Sequence, residues 1–175
     1  MQSIYLAGGC FWCTEAIFNQ VKGINKIIPG YIGGKTPNPT YNMICNGNTG
    51  HAEAIECNFD EKIISLDDIL EIFFSTHDPT QLNGQGNDIG TQYRSAIFCS
   101  TKLQKNKVDK FINSIQSNYV KKIVTEVKYG ETFFKAEEYH FDYFKKNSNV
   151  PYCEIVIKPK LEKLKLIHGN KCNKF

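Results

Sequence analysis

Two of the seven cysteines in this 175-residue chain lie three residues apart, in Gly8-Gly9-Cys10-Phe11-Trp12-Cys13-Thr14-Glu15. A cysteine at the start of a helix gains thiolate character, because unpaired N–H groups and about half a positive charge gather there. The glycine pair allows a sharp turn into such a helix and leaves the sulfur open to a substrate. Phe11 and the chain's one tryptophan, Trp12, follow directly. Neighbouring residues cannot share one helical face, so these two aromatics read either as core or as an apolar wall beside the sulfur. Cys13 makes a Cys-x-x-Cys with Cys10, and at that spacing both sulfurs meet on the first helical turn. Such a pair suits dithiol redox or half a zinc site. Zinc wants a second pair of ligands; there is no second Cys-x-x-Cys and the four histidines are scattered, so no metal and no other cofactor is expected.

Positioning that cysteine takes a strand, a turn and a helix. Residues 3–7 are a short apolar run stopped at Gly8-Gly9, which predicts a buried strand. Residues 14–21 predict a helix with Gly9-Cys10 at its start, and residues 24–32, apolar and β-branched, a second strand. The Gly-, Pro- and Asn-rich stretch 33–50 reads as a long loop of the kind that carries function. Residues 51–59 alternate, with Glu53 on the same side as Ile55, Cys57 and Phe59. Ser65 opens a helix with Leu66, Ile69, Leu70 and Phe73 at i, i+3, i+4, i+7. Residues 77–92 read as a loop and 93–99 as a strand. Thr101 and Gln104 form a capping box for the next helix. Residues 123–128 read as strand and the aromatic-rich 136–146 as helix. This order predicts an α+β fold, a ferredoxin-like split β-α-β core. Its sheet is mixed or antiparallel, with helices packed on it and long functional loops gathered near Cys10.

Composition bounds the function. Hydrophobic residues make up 41% and charged residues 22%, enough for an ordinary core. The length suits a single domain, residues 1–175, with 162–175 expected as a mobile C-terminal tail. A net charge of +3 with basic and acidic residues interleaved does not argue for nucleic acid. No apolar run is long enough to span a membrane, and the N-terminus lacks a signal-peptide pattern, so a cytoplasmic setting is expected. Cysteines in such a chain serve catalysis or redox more often than a disulfide framework.

Further strings lie in order along the chain: Gly30 to Gly34, Asn38-Pro39-Thr40-Tyr41, Thr49-Gly50-His51-Ala52-Glu53, Gln85 to Ser95, Ala136 to His140 and Pro151-Tyr152-Cys153. Together with Gly9-Cys10-Phe11-Trp12 they resemble the peptide-methionine (S)-sulfoxide reductases, the A type, over nearly the whole chain. The resemblance implies an enzyme that reduces the S-epimer of methionine sulfoxide, free or in proteins. It would act by thiolate attack, sulfenic acid formation and disulfide resolution. Cys10 would be the nucleophile. The resemblance assigns Glu53 the acid role, where residue type alone reads it as a solvent-facing strand position. It gives Tyr41 and Tyr93 the hydrogen bonds to the departing oxygen. Phe11 and Trp12 would hold the S-methyl group, and Asp88 would lie at the site, with an Asx-type turn as its local alternative. His51 and His140 read as structural hydrogen-bonders.

Position 13 is commonly glycine in that family; Cys13 here fits its Cys-Phe-Trp-Cys branch, where the neighbour resolves. Cys172, near the C-terminus, is the rival. Cys13 is favoured because it needs no loop closure, and a relay from Cys10 through Cys13 to Cys172 is the third possibility. Cys45, Cys57, Cys99 and Cys153 read as packing or ordinary thiols. The implied partners are oxidised methionine and a thioredoxin-like dithiol reductant, with the protein a monomer. The competing reading is a general dithiol-disulfide oxidoreductase that uses only the Cys-x-x-Cys.

Overall fold

A computed structural model describes residues 1–173 of the chain. Strand β1 (Gln2–Gly8) runs into helix α1 (Phe11–Phe18), which returns the chain to β2 (Ile24–Ile32). A short helix α2 (Tyr41–Cys45) interrupts the long loop before β3 (Ala52–Phe59). Helix α3 (Leu66–Thr76) follows, then a small hairpin of β4 (Gly84–Gln85) and β5 (Asp88–Ile89), then β6 (Ser95–Cys99). Helix α4 (Lys102–Ile115), strands β7 (Glu126–Tyr129) and β8 (Phe133–Lys135), and helices α5 (Tyr143–Lys146) and α6 (Lys158–His168) complete the chain.

The main sheet has six strands in the order β7-β6-β1-β3-β2-β8. Its inner four are antiparallel, with β3 inserted between the two strands that α1 connects. This is the split β-α-β expected from the order of elements. β7 adds in parallel to β6, and β8 adds antiparallel to β2, so the sheet is mixed.

The strand period of two sorts side chains to the two faces. Ile4, Leu6, Ile55, Cys57, Phe59, Ile97 and Cys99 join the helices in one core, while Ala7, Ile32, Ala52, Ala54, Ala96 and Phe98 form a smaller cluster on the other face. Helix α3 buries Leu66, Ile69, Leu70 and Phe73 as its spacing predicts. Each such burial contributes roughly 1.5–3 kcal/mol. Ser65 caps α3 in a reciprocal box with Asp68. Thr101 accepts the Gln104 N–H at 3.1 Å, but the Gln104 side chain reaches back to the Ser100 N–H at 2.9 Å rather than to Thr101.

Other local expectations are corrected, and the strand expected at 93–99 runs only over Ser95–Cys99. The strand expected at 123–128 begins only at Glu126, because the Ile123 N–H goes to Gln116 Oε1 at 3.0 Å and the Val124 N–H to the Pro79 carbonyl at 2.9 Å. The helix expected at 136–146 is broken into a 3₁₀ turn (Glu138–His140) and α5, with Asp142 left-handed between them at φ 52°. Its N–H, with that of Tyr143, is captured by the Glu15 carboxylate.

The segment expected as a tail, 162–175, is docked over its described part. Leu164 is fully buried, His168 meets the Ser75 hydroxyl at 2.8 Å, and Lys171 bridges Asp68 and Glu71 at 2.6 and 2.7 Å. Cys172 pairs with Val21 in a β-bridge, and Asn173 N–H donates to Gln20 O at 2.7 Å. These contacts satisfy backbone groups that a free tail would leave to water. Residues 174 and 175 lie outside the described residues. Among the described residues no helix is long and apolar enough to cross a membrane.

Candidate active site

Cys10 occupies the N-cap of α1, and its own side chain makes no capping bond. The chain reaches it through Gly9 at φ +98°, where a Cβ would stand 2.8 Å from the Gln85 side chain, so only glycine fits this turn. The Cys10 carbonyl accepts the Cys13 N–H at 3.1 Å, which fixes the two cysteines on one turn. Their side chains are hydrogen-bonded to each other, and both are buried.

The two sulfurs behave as one acid. The hydrogen bond from Cys10 draws Cys13 down to about 7, helped by the Lys160 charge and the Tyr152 hydroxyl against the cost of burial. Burial raises Cys10 well above its ordinary value; its bond to Cys13 and the Glu53 charge add to this, and the Trp12 backbone N–H opposes it. The first proton is therefore lost on the Cys13 side, and Cys10 keeps its own.

Glu53 points inward from β3 and is 1% exposed. Its Oε2 accepts the Phe11 N–H at 3.1 Å. Burial pushes its carboxyl up to about 8, and the Asp88 and Cys13 charges act in the same sense. Tyr41 and Tyr93 are raised chiefly by burial and next by the Glu53 charge, so both hydroxyls stay protonated.

Phe11 is fully buried, its ring 5.8 Å from Tyr31 and 4.9 Å from His140. Trp12 is partly open. Its indole lies flat on Tyr143, with centroids 3.7 Å apart and planes at 6°, and meets the edge of Tyr152 at 6.0 Å. Trp12 Nε1–H donates to His140 Nδ1 at 3.1 Å. His140 Nε2 is buried without a hydrogen-bond partner, and the Glu137 carboxylate stands 3.7 Å away. Glu137 also accepts the Tyr31 hydroxyl at 2.7 Å and the Tyr41 N–H at 2.8 Å. His51 accepts the Gly34 N–H at 3.0 Å and donates to the Thr36 carbonyl at 2.8 Å, so both histidines hold structure through hydrogen bonds.

Asp88, on the β4–β5 hairpin, accepts the Tyr152 hydroxyl at 2.8 Å, and that hydroxyl lies 3.5 Å from Cys13 Sγ. The structure thus brings Cys10, Cys13, Phe11, Trp12, Tyr41, Glu53, Asp88 and Tyr93 into one region. Cys172 stands elsewhere. Its bridge partner Val21 lies beyond the C-terminal end of α1, while Cys10 lies at the N-terminal end. Those helix ends are about 12 Å apart at 1.5 Å per residue, too far for a disulfide without backbone movement. Cys57, Cys99 and Cys153 are buried and Cys45 is exposed.

Sequence reasoning left Tyr152, Glu137, Tyr143 and Glu15 without a role. Tyr152, Glu137 and Glu15 sat inside strings already singled out. Tyr143 carried no local signal beyond an aromatic, and the importance of the Glu15–Tyr143 pair arises only where two distant segments meet. Among the described residues no three His, Cys, Asp or Glu side chains converge to hold a metal ion.

Comparison with known proteins bears on this geometry. A family model described as peptide methionine sulfoxide reductase matches residues 2–171. The chain is 48% identical over 171 residues to a Saccharolobus solfataricus protein named peptide methionine sulfoxide reductase MsrA, covering 98% of this chain and 97% of the other. It is 50% identical to a protein of the same name from Pasteurella multocida, covering 94% and 95%. Reduced Mxr1 from Saccharomyces cerevisiae superposes with a TM-score of 0.82 at 34% identity, over 87% of this chain and 88% of that one. Mxr1 in complex with Trx2 matches at 0.59 and 25% identity, over 80% and 84%.

Proposed function

The chain belongs to the peptide methionine sulfoxide reductase family, and from that premise we propose how its own residues carry the reaction. Its activity is the thiol-dependent reduction of methionine sulfoxide to methionine, and the proposal takes the S-epimer as the form it accepts. A proton passes from Cys10 to Cys13 across their hydrogen bond, leaving the thiolate at Cys10. That thiolate attacks the sulfoxide sulfur. Glu53, neutral because its pKa is raised to about 8, delivers a proton to the oxygen as the S–O bond weakens. The Tyr41 and Tyr93 hydroxyls donate to the same oxygen. Sulfoxide, thiolate and proton become methionine and the Cys10 sulfenic acid.

Cys13, which carries the proton it took from Cys10, then attacks the Cys10 sulfur. Its proton is released as the S–S bond forms and joins the departing hydroxide, so water leaves and a Cys10–Cys13 disulfide remains. A thioredoxin-type dithiol reduces it, as the complex of yeast Mxr1 with Trx2 supports. Cys10 and Cys13 already share a turn, whereas Cys172 would have to leave its bridge with Val21. A monomer suffices for this scheme. A cytoplasmic setting suits it, because the thiols must return to the reduced state after each cycle.

One observation carries the reading: a buried carboxyl group with a raised pKa beside the N-cap cysteine, held by the N–H of the next residue. Such an acid can also serve thiol-disulfide exchange, and it is the family match over residues 2–171 that favours sulfoxide reduction over a general dithiol oxidoreductase. The test is a single-turnover assay on a peptide containing the S-epimer, without reductant. The reading expects one methionine per protein from the parent and none from Cys10→Ser. A full burst in Cys10→Ser would overturn it.

A further inference from the structure

We infer that the buried carboxylate of Glu15 is a positioning residue for substrate recognition: it sets Tyr143, and through Tyr143 the plane of the Trp12 indole. The inference rests on the reading, implied by the family resemblance, that Trp12 holds the S-methyl group of the substrate.

Trp12 and Glu15 are three residues apart on α1, so they project to the same side of the helix one turn apart. Both reach Tyr143, by different atoms. Trp12 stacks flat on the Tyr143 ring at 3.7 Å. Glu15 holds the backbone below that ring, accepting the Asp142 N–H at 2.9 Å and the Tyr143 N–H at 3.3 Å. Asp142 sits in the left-handed region at φ 52°, a conformation that a residue with a Cβ adopts at some cost. The two N–H bonds to one carboxylate offset that cost and turn the chain so that Tyr143 faces Trp12.

Glu15 is 3% exposed. A buried carboxylate is expensive unless fully bonded, and a mere cap on a four-residue helix would not need one. Tyr143 is otherwise only partly buried. The opposite edge of the indole is fixed separately, by the bond from Nε1 to His140. Glu15 and His140 thus clamp one ring from two directions: His140 fixes where it sits in its plane, and Glu15 fixes how that plane tilts.

The test uses the full chain and three readouts. In Glu15→Ala, KM for a methionine sulfoxide peptide should rise about tenfold, while the single-turnover rate at saturating substrate stays within about twofold. The emission of Trp12, the chain's one tryptophan, should shift to the red as the stack opens to water. Glu15→Gln keeps the shape and one acceptor but turns an NH₂ toward a backbone N–H. It should move both readouts in the same direction by a smaller amount, and it keeps the test decisive if the alanine variant does not fold. Adding Glu15→Ala to Tyr143→Ala should cost no more than the Tyr143 change alone.

Unchanged KM and emission in the Glu15 variants would overturn the inference, and so would additive effects in the cycle. If Trp12→Ala leaves KM unchanged, the role given to Trp12 fails instead.

Discussion

The backbone N–H of Phe11 donates to Glu53 Oε2 at 3.1 Å, across 42 residues of sequence. One hydrogen bond therefore ties the acid on β3 to the residue directly after the nucleophile on α1. It favours the charged carboxylate, yet burial outweighs it and the group stays neutral up to about 8. A carboxyl group so held is both oriented and protonated at neutral pH.

The pH dependence follows with a definite sign. Glu53 must carry its proton to serve as the acid, so the single-turnover rate should fall as pH rises through about 8. Glu53→Gln should remove that descending limb and lower the rate by about 10²–10⁴-fold. The same shift acts on stability. The folded pKa lies above the ordinary 4.5, so the contribution of this group is intact below about 4.5 and is lost as pH rises through about 8. The Tm of Glu53→Gln relative to the parent should therefore climb between pH 5 and pH 9, scanned in about one-unit steps. A rate and a Tm difference that are both flat with pH would remove Glu53 from the acid role.

The cysteine assignments separate in the absence and presence of reductant. Cys13→Ser should still release one methionine per protein but hold Cys10 as a sulfenic acid, trappable by a carbon nucleophile, and should not cycle with a thioredoxin-type dithiol. Cys172→Ser should cycle at the parent rate, because Cys172 is buried and bridged to Val21. Peptide mass mapping after one turnover reads the pairing directly, and a Cys10–Cys172 peptide would reverse the order of the two thiols.

Tyr41 and Tyr93 are proposed as donors to the departing oxygen, so Tyr41→Phe and Tyr93→Phe should each slow the chemical step by about 10–10³-fold. Substrate affinity should change far less. Two full-rate phenylalanine variants would leave Glu53 as the sole group acting on that oxygen.

Acid stability should report on a different residue. His77 donates from Nδ1 to the Phe73 carbonyl at 2.6 Å and accepts the Ser95 hydroxyl on Nε2 at 2.8 Å, so it is held neutral. Burial lowers its pKa to about 4 from the ordinary 6.5. Its contribution is present above about 6.5 and is lost as pH falls through about 4. His77→Gln should be less stable than the parent at neutral pH and should lose less stability on acidification. Parallel Tm profiles for the two proteins would contradict this.

Much of the frame was legible in the sequence. The apolar runs of β1 and β2, the alternation of β3 and the Ser65 cap marked their elements closely, and the order of elements implied the split β-α-β. Glu53 shows where legibility ended. Its side of β3 was readable from Ile55, Cys57 and Phe59, but residue type alone argued for solvent. Its burial arises only when other segments, among them Phe11 on α1, close over it in the fold. The broken helix before α5 is the same case reversed. The run 136–146 has helical composition, but Glu15, far away in sequence, takes the N–H groups that a continuous helix would use. Local pattern cannot register a hydrogen bond made across the fold.

The shared turn of Cys10 and Cys13 has a consequence for chain entropy. A disulfide between them closes a ring so short that it restricts the unfolded chain by only about 2 kcal/mol, against about 5 kcal/mol for a bond from Cys10 to Cys172. Oxidation at the first turn of α1 should therefore leave the melting temperature within a few degrees of its reduced value, whereas joining the two ends of the chain should raise it plainly. A catalyst that passes through its oxidised form on every cycle then avoids a more rigid, kinetically trapped state each time. The record of each turnover is kept in one covalent bond, and the rest of the molecule carries almost none of it.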